Sequence, residues 1–236
     1  MRMFKTFDQD RPYIERKYHD PEKSFNSHNR RAYHGYDYDP STGMSDEEIE
    51  EGLKKLDLSG LSHPVAKARA IRFVLENTRI DCNEHDYFVG LYTWNRQAMA
   101  VTMNLWKKEI FEEKLQEQIA VSERLNRSGA VTIWPDFDHV VPDWDSLMKL
   151  GFAGILKRAQ KYRRLHGAES KEFFDGIEET YTAVLDFVDR LYRHACTLTH
   201  PKASAYAQCL LHLRDGAPTN TYEAMQLIYE LKQKLT

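Results

Sequence analysis

The stretch 170–198, SKEFFDGIEETYTAVLDFVDRLYRHACTL, decides the fold class. Phe173, Ile177, Tyr181, Val184, Val188, Leu191, Ala195 and Leu198 recur at steps of three and four, which gathers them on one face of a long helix. Acidic and basic residues occupy the other face, so the helix is predicted to lie with one side on a core and one side in water. Nothing in the stretch alternates with the period of two that a strand requires.

The neighbouring segments follow the same pattern. KASAYAQCLLHLR (202–214) and TNTYEAMQLIYELKQKL (219–235) read as two further helices, separated by DGAPT, a turn with Gly216 and Pro218. Towards the N-terminus, SDEEIEEGLKKL places Ser45 and Glu48 at capping-box spacing, which predicts a helix starting near Asp46. HPVAKARAIRFVLENT puts Pro64 in the first turn of another helix, with Val65, Ala68, Ile71, Arg72 and Leu75 as one face. A long helix is predicted over Met103 to Leu125, with Leu105, Trp106, Ile110, Leu115 and Ile119 inside. DYFVGLYTW and GAVTIW are compatible with short strands or extended turns. The predicted fold is mostly α, with at most a few short strands.

Residues 1–43 differ. Five tyrosines (Tyr13, Tyr18, Tyr33, Tyr36 and Tyr38) stand among charges and histidines with Ile14 as the lone aliphatic core residue. Such a segment buries too little apolar surface to fold alone, so it is predicted to be an extended arm that needs a partner surface. The domain proper is predicted to run over 44–236.

Composition narrows the function classes. With 33 basic and 36 acidic side chains the formal net charge is −3, and no basic face announces a phosphate backbone, so no nucleic-acid partner is expected. No run approaches the roughly 18 apolar residues that would span a bilayer, and no membrane partner is expected. The opening MRMFKTFDQD lacks the apolar centre of a secretory signal. Cys82, Cys196 and Cys209 show no paired spacing, which fits thiols in a reducing cytoplasm. Cys196 and Cys209 fall within predicted helices, where a free thiol is expected to pack in the core.

The segment WPDFDHVVPDWD (134–145) is the densest in chemistry-bearing groups. Asp136, Asp138, His139, Asp143 and Asp145 could supply oxygens to a hard cation, which would suit a metal-dependent hydrolase. Against this, 131–150 holds no glycine for the sharp turns of a calcium loop, and zinc lacks a second imidazole or thiolate at ligand spacing. The plainer reading makes Asp143 the cap of a helix carrying Leu147, Leu150, Ile155 and Leu156, and no metal site is assigned. Nor is any catalytic residue: there is no nucleophile elbow, phosphate loop or HExxH. Cys82 sits two residues from Glu84, and a carboxylate neighbour raises a thiol's pKa and dulls it.

HPVAKARAIRFVLENTRIDCNEHDYFVGLYTW, DHVVPDWDSLMKLGFAGIL, FFDGIEETYTAVLDFVDRLYRHA and GAPTNTYEAMQLIY, four segments in that order, together resemble the pyruvate formate-lyase-like group of glycyl radical enzymes. HPVAKARAIRFVLENTRIDCNEHDYFVGLYTW is similar to the family's small-and-basic helix followed by an I…E.D..VG turn, here Ile80, Glu84, Asp86, Val89 and Gly90. DHVVPDWDSLMKLGFAGIL resembles its GH..PDY segment through His139, Pro142, Asp143, Trp144, Leu147, Gly151 and Gly154, with Asp138 where glycine is usual. FFDGIEETYTAVLDFVDRLYRHA is similar to its long helix. GAPTNTYEAMQLIY resembles P..TF.EALQ through Thr221, Tyr222, Glu223, Ala224, Met225 and Gln226.

The resemblance implies the helical N-terminal region of the pyruvate formate-lyase-like fold, packing on a barrel and helping to close a substrate pocket. His139 is the residue it brings to that pocket, with Asp143 and Trp144 holding the segment. The family's mid-chain cysteine and its glycine near the C-terminus have no counterpart here; Cys82-Asn83-Glu84 imitates the cysteine motif but lies in the wrong segment. The chain is therefore expected to be a truncated or split piece, catalytically incomplete alone. No cofactor is expected in this chain; the glycyl radical would be carried by the missing C-terminal part. The expected partner is the remainder of a glycyl radical enzyme or a partner chain, with a small-molecule substrate (2-oxo acid, diol or amino alcohol) only in the complete enzyme. A stand-alone helical docking or regulatory subunit is the alternative, with Leu227, Ile228 and Leu231 seeking a companion surface.

Overall fold

The computed structural model describes residues 6–19, 40–82, 84–91, 114–129 and 142–235. Among them are eight α-helices: α1 (Phe7–His19), α2 (Asp46–Lys55), α3 (His63–Asn77), α4 (Gln116–Arg127), α5 (Trp144–His166), α6 (Lys171–Thr197), α7 (Ala203–Asp215) and α8 (Thr221–Leu235). Two two-residue strands, β1 (Ile80–Asp81) and β2 (Gly90–Leu91), pair antiparallel, with Ile80 opposite Leu91 and Asp81 opposite Gly90. The chain is mostly α, as its periodicity predicts.

α6 is the centre. At 27 residues it is the longest of the described helices, and α3, α5 and α7 pack around it while α8 rests on α7 and β2. Phe187, Val188 and Leu191 of α6 are almost fully buried with Phe152 of α5, Leu210 and Leu213 of α7, and Leu227 of α8. The predicted stripe holds from Val184 onward but slips at the start: Phe174 is buried and Phe173 is exposed. Phe174 lies outside the main buried cluster, two residues before Gly176 meets Pro64 of α3.

Three devices fix α3 against α6. At Gly176 the helices approach so closely that a Cβ would lie 2.7 Å from the backbone of Pro64. In the middle, the Arg72 guanidinium bridges Glu179 (3.0 Å) and Asp186 (3.1 Å) on α6 and Glu76 (3.2 Å) on its own helix. At the far end the Arg190 guanidinium donates to the carbonyls of Leu75 (2.9 Å), Thr78 (2.5 Å) and Thr42. A cation bonded to the last carbonyls of α3 meets the negative end of the helix dipole. The buried face of α3 is wider than predicted, comprising Ala66, Ala68, Ala70, Val74 and Leu75, with Val65 and Arg72 only half-buried. The helix is covered on two sides, by α6 and by Ile49 and Leu53 of α2.

α2 begins where predicted. The Ser45 side chain accepts from the Glu48 N–H, and the Glu48 carboxylate accepts from the Ser45 N–H. α5 begins at the Asp143 cap, which accepts from the Ser146 N–H at 3.1 Å.

Four expectations need correction. Phe7–His19, within the predicted extended arm, is a helix, held by buried Asp10 and Tyr13. Its anchors are a carboxylate and a phenol ring, which an inventory of aliphatic residues overlooks. Cys196 is exposed and only Cys209 of the two helical thiols is buried, because Cys196 falls in the last turn of α6, off the core stripe. Of the long helix predicted over Met103 to Leu125, α4 accounts for Gln116–Arg127 and buries no residue, Ile119 being half-buried; the part before Lys114 lies outside the described residues. Leu227 is buried in the chain's own core, while Ile228 is exposed.

No helix among the described residues is long and apolar enough to cross a membrane.

Candidate functional site

The segment between β1 and β2 is a hairpin loop with no regular ladder, and Val89 within it is fully buried. Buried backbone polar groups must find partners or cost free energy. Here side chains from α7 and α8 supply them. Lys202, at the N-cap of α7, donates to the Glu84 carbonyl at 2.8 Å. Tyr206, one turn further on, donates to the Asp86 carbonyl. Tyr222 on α8 donates to the Tyr87 carbonyl at 2.7 Å. One turn on, the Gln226 amide donates to the Val89 carbonyl at 2.6 Å and accepts from the Val89 N–H at 3.0 Å. Each helix thus offers two groups at i and i+4, which share one face.

Phe88 stacks on Tyr222 and packs against Tyr229, with ring centroids 5.6 Å away in both cases. Burial drives the Tyr206 and Tyr222 phenols well above their ordinary range, so both remain neutral donors. Gln226 reproduces what a paired strand would give Val89.

Beside this grip lies a buried charge cluster. The Asp10 carboxylate of α1 meets Lys202 Nζ (2.6 Å) and Tyr87 OH (2.9 Å) through one oxygen and His85 Nδ1 (3.1 Å) through the other. Thr6 of the same helix end adds a hydroxyl at 2.7 Å. Burial alone would raise the Asp10 pKa; the bonds from Lys202, Thr6, His85 and Tyr87 outweigh it and bring the carboxyl down to about 2. Lys202 also lies over the Tyr87 ring, 4.4 Å from its centre.

A second junction forms at the α7–α8 turn. Gly151 breaks the helical path of α5 with φ 60° and ψ −179°. A Cβ there would stand 2.3 Å from the Gly216 carbonyl oxygen, so only glycine lets α5 seat against this turn. Just beyond, Glu223 accepts from the Thr219 N–H (2.7 Å), the Thr219 hydroxyl (2.9 Å) and His212 Nδ1 (2.9 Å). Burial would raise the Glu223 pKa, and these bonds reverse the shift and lower it. Because an ionised carboxylate only accepts, His212 carries its proton on Nδ1.

Of the residues singled out from the sequence, Asp143 is the α5 cap, and Asp145 pairs with Lys149 at 2.7 Å across one turn. Trp144 is partly exposed at the helix start. His139, Asp136 and Asp138, like GAVTIW after Gly129, lie outside the described residues. Among the described residues no three His, Cys, Asp or Glu side chains converge as metal ligands.

The motif segments do come together. Val89 meets Gln226, and Gly151 meets the turn that precedes Thr221. Sequence reading missed Lys202, Tyr206, Asp10, His85, Tyr87 and Arg190. Lys202 with Tyr206, and Tyr222 with Gln226, carry a legible signal: polar pairs four apart on otherwise apolar helix faces. The arrangement holds the backbone of residues 84–89, the segment that leads into β2.

No curated protein matches the chain closely enough to be counted a relative. The family model described as pyruvate formate lyase-like matches residues 75–233, more than half of the chain. The whole grip, from Glu84 to Gln226, lies inside that span, whereas Asp10 lies outside it. A described fold that is helical, and motif segments that meet in space as well as in order, accord with that match: the chain belongs to the pyruvate formate lyase-like family, a group related to the glycyl radical enzymes.

Proposed function

We propose that the chain serves as the helical front portion of a glycyl-radical-type lyase, packing on a catalytic barrel and helping to shape its substrate pocket, and that it is catalytically incomplete alone. The single observation that carries this reading is the family match over 75–233, with its motif residues bonded to one another. The domain we assign to this role is 44–236, since α2 and the turn before it pack on α3. The radical-bearing glycine and the thiol belong to the remainder of a glycyl radical enzyme or to a partner chain, in the reducing, anaerobic cytoplasm where such a radical survives. His139 approaches the pocket of the completed enzyme, where the substrate is a 2-oxo acid, a diol or an amino alcohol.

The outer face of α8 supports a role in docking. Met225 and Ile228, one turn apart, are exposed on a helix whose inner face is already satisfied by Leu227 and Gln226. The same feature favours the alternative, a separately encoded docking subunit.

Light scattering on the purified chain, alone and mixed with the polypeptides encoded beside it, tests the proposal. The expected result is a defined complex with a chain that carries the cysteine and glycine segments, and turnover only in that complex. Turnover of any of the three substrate classes by this chain unaided overturns it.

A further inference from the structure

The Asp10 cluster has the anatomy of a binding site whose ligand is part of the chain. The two partners, Asp10 and Lys202, have side chains only 5% and 4% exposed. Lys202 is oriented before any carboxylate is counted: its ammonium donates to the Glu84 carbonyl at 2.8 Å and stands over the Tyr87 ring. The hairpin that carries His85 and Tyr87 is itself held by Tyr206, Tyr222 and Gln226. Three of the four groups that receive the carboxylate therefore sit on a framework that α1 does not build; the fourth, the Thr6 hydroxyl, comes from the residue before α1. Those three also lie within the family-matched span, and the carboxylate comes from outside it.

The recess discriminates by chemistry. One carboxylate oxygen takes the ammonium and the phenol, and the other takes an imidazole nitrogen, which is recognition of both ends of a planar anion. Removing a carboxylate from a buried ammonium is costly, so the recess favours an anionic occupant. We propose that Lys202, Tyr87 and His85 form a carboxylate-binding site, that Asp10 of α1 fills it as a tethered ligand, and that a free monocarboxylate enters when the Asp10 carboxylate is withdrawn. α1 is then a plug, held by its carboxylate and by the Tyr13 ring against His85 at 4.8 Å. This inference stands on geometry within the chain and does not depend on the proposed radical enzyme.

The test uses the full chain with Asp10→Ala, which removes a formate-sized group. Thermal unfolding is followed in sodium formate and in sodium chloride of equal ionic strength. The expected result is a lowered Tm that rises by several degrees with formate, saturably, while chloride leaves it unchanged. Carbon-13-labelled formate should broaden in the presence of this variant, and should not broaden with the unaltered chain or with Asp10→Ala combined with Lys202→Met. A variant unfolded in chloride but folded in formate also supports the site. A variant that stays unfolded in both salts overturns it, as does equal response to formate and chloride, or broadening that survives Lys202→Met.

Discussion

Gln226 shows how much one side chain decides. Its amide is the right length to accept from the Val89 N–H and donate to the Val89 carbonyl at once, and both partners are buried. Gln226→Leu keeps the bulk and removes both bonds, leaving two backbone groups unpaired in the interior. Each such group costs about 1–3 kcal/mol, so the variant should lose about 3 kcal/mol of stability, measured by urea unfolding. A loss under about 0.5 kcal/mol would mean that the hairpin finds other partners. At this scale the sequence was legible where the bond is local. Ser45 with Glu48, and Asp143 with Ser146, are three residues apart, and their spacing states the contact. Gln226 stands in a recognisable motif, yet its partner lies 137 residues away and no spacing rule points to it.

At the scale of elements, the α3–α6 seam depends on Arg190 as much as on apolar packing. Its guanidinium gathers carbonyls from the end of α3, from Thr78 and from Thr42, and burial lowers its pKa without a carboxylate to offset that. Arg190→Met fills the same space and abandons three acceptors. The expected loss is about 2–4 kcal/mol, with hydrogen-exchange protection falling first at residues 76–80, since unsatisfied acceptors fray the helix end. Unchanged protection there would show that the arginine is incidental. The stripe of α6 was legible from Val184 to Ala195 because burial there is continuous and the period of 3.6 is unbroken. It failed at Phe173 and Phe174, which lie outside the main buried cluster, and in α4, whose apolar residues meet no buried surface among the described residues.

For the molecule as a whole, acid should act first through His200. Both ring nitrogens are buried without a hydrogen-bond partner among the described residues, and the ring meets Tyr206 edge-on at 5.5 Å. Burial lowers its pKa below the ordinary 6.5, while nearby Glu84 pulls the other way and Lys202 and His85 add to the drop. The unfolded chain then takes up this proton before the folded one does. Stability is therefore complete above the unfolded pKa and declines as pH falls through about 6.5. His200→Phe should flatten the stability profile between pH 7 and pH 5 relative to the unaltered chain; superimposable profiles would dismiss the idea. The sequence by itself determined that the chain is helical, where several helices start, and which family it resembles, because periodicity, caps and motifs are written in neighbouring residues. Only the tertiary structure decided that α1 docks through Asp10, that Lys202 is buried, and that two helices hold the hairpin by its backbone. Those outcomes rest on desolvation and on partners far apart in the chain, and such pairings exist only once the chain has closed.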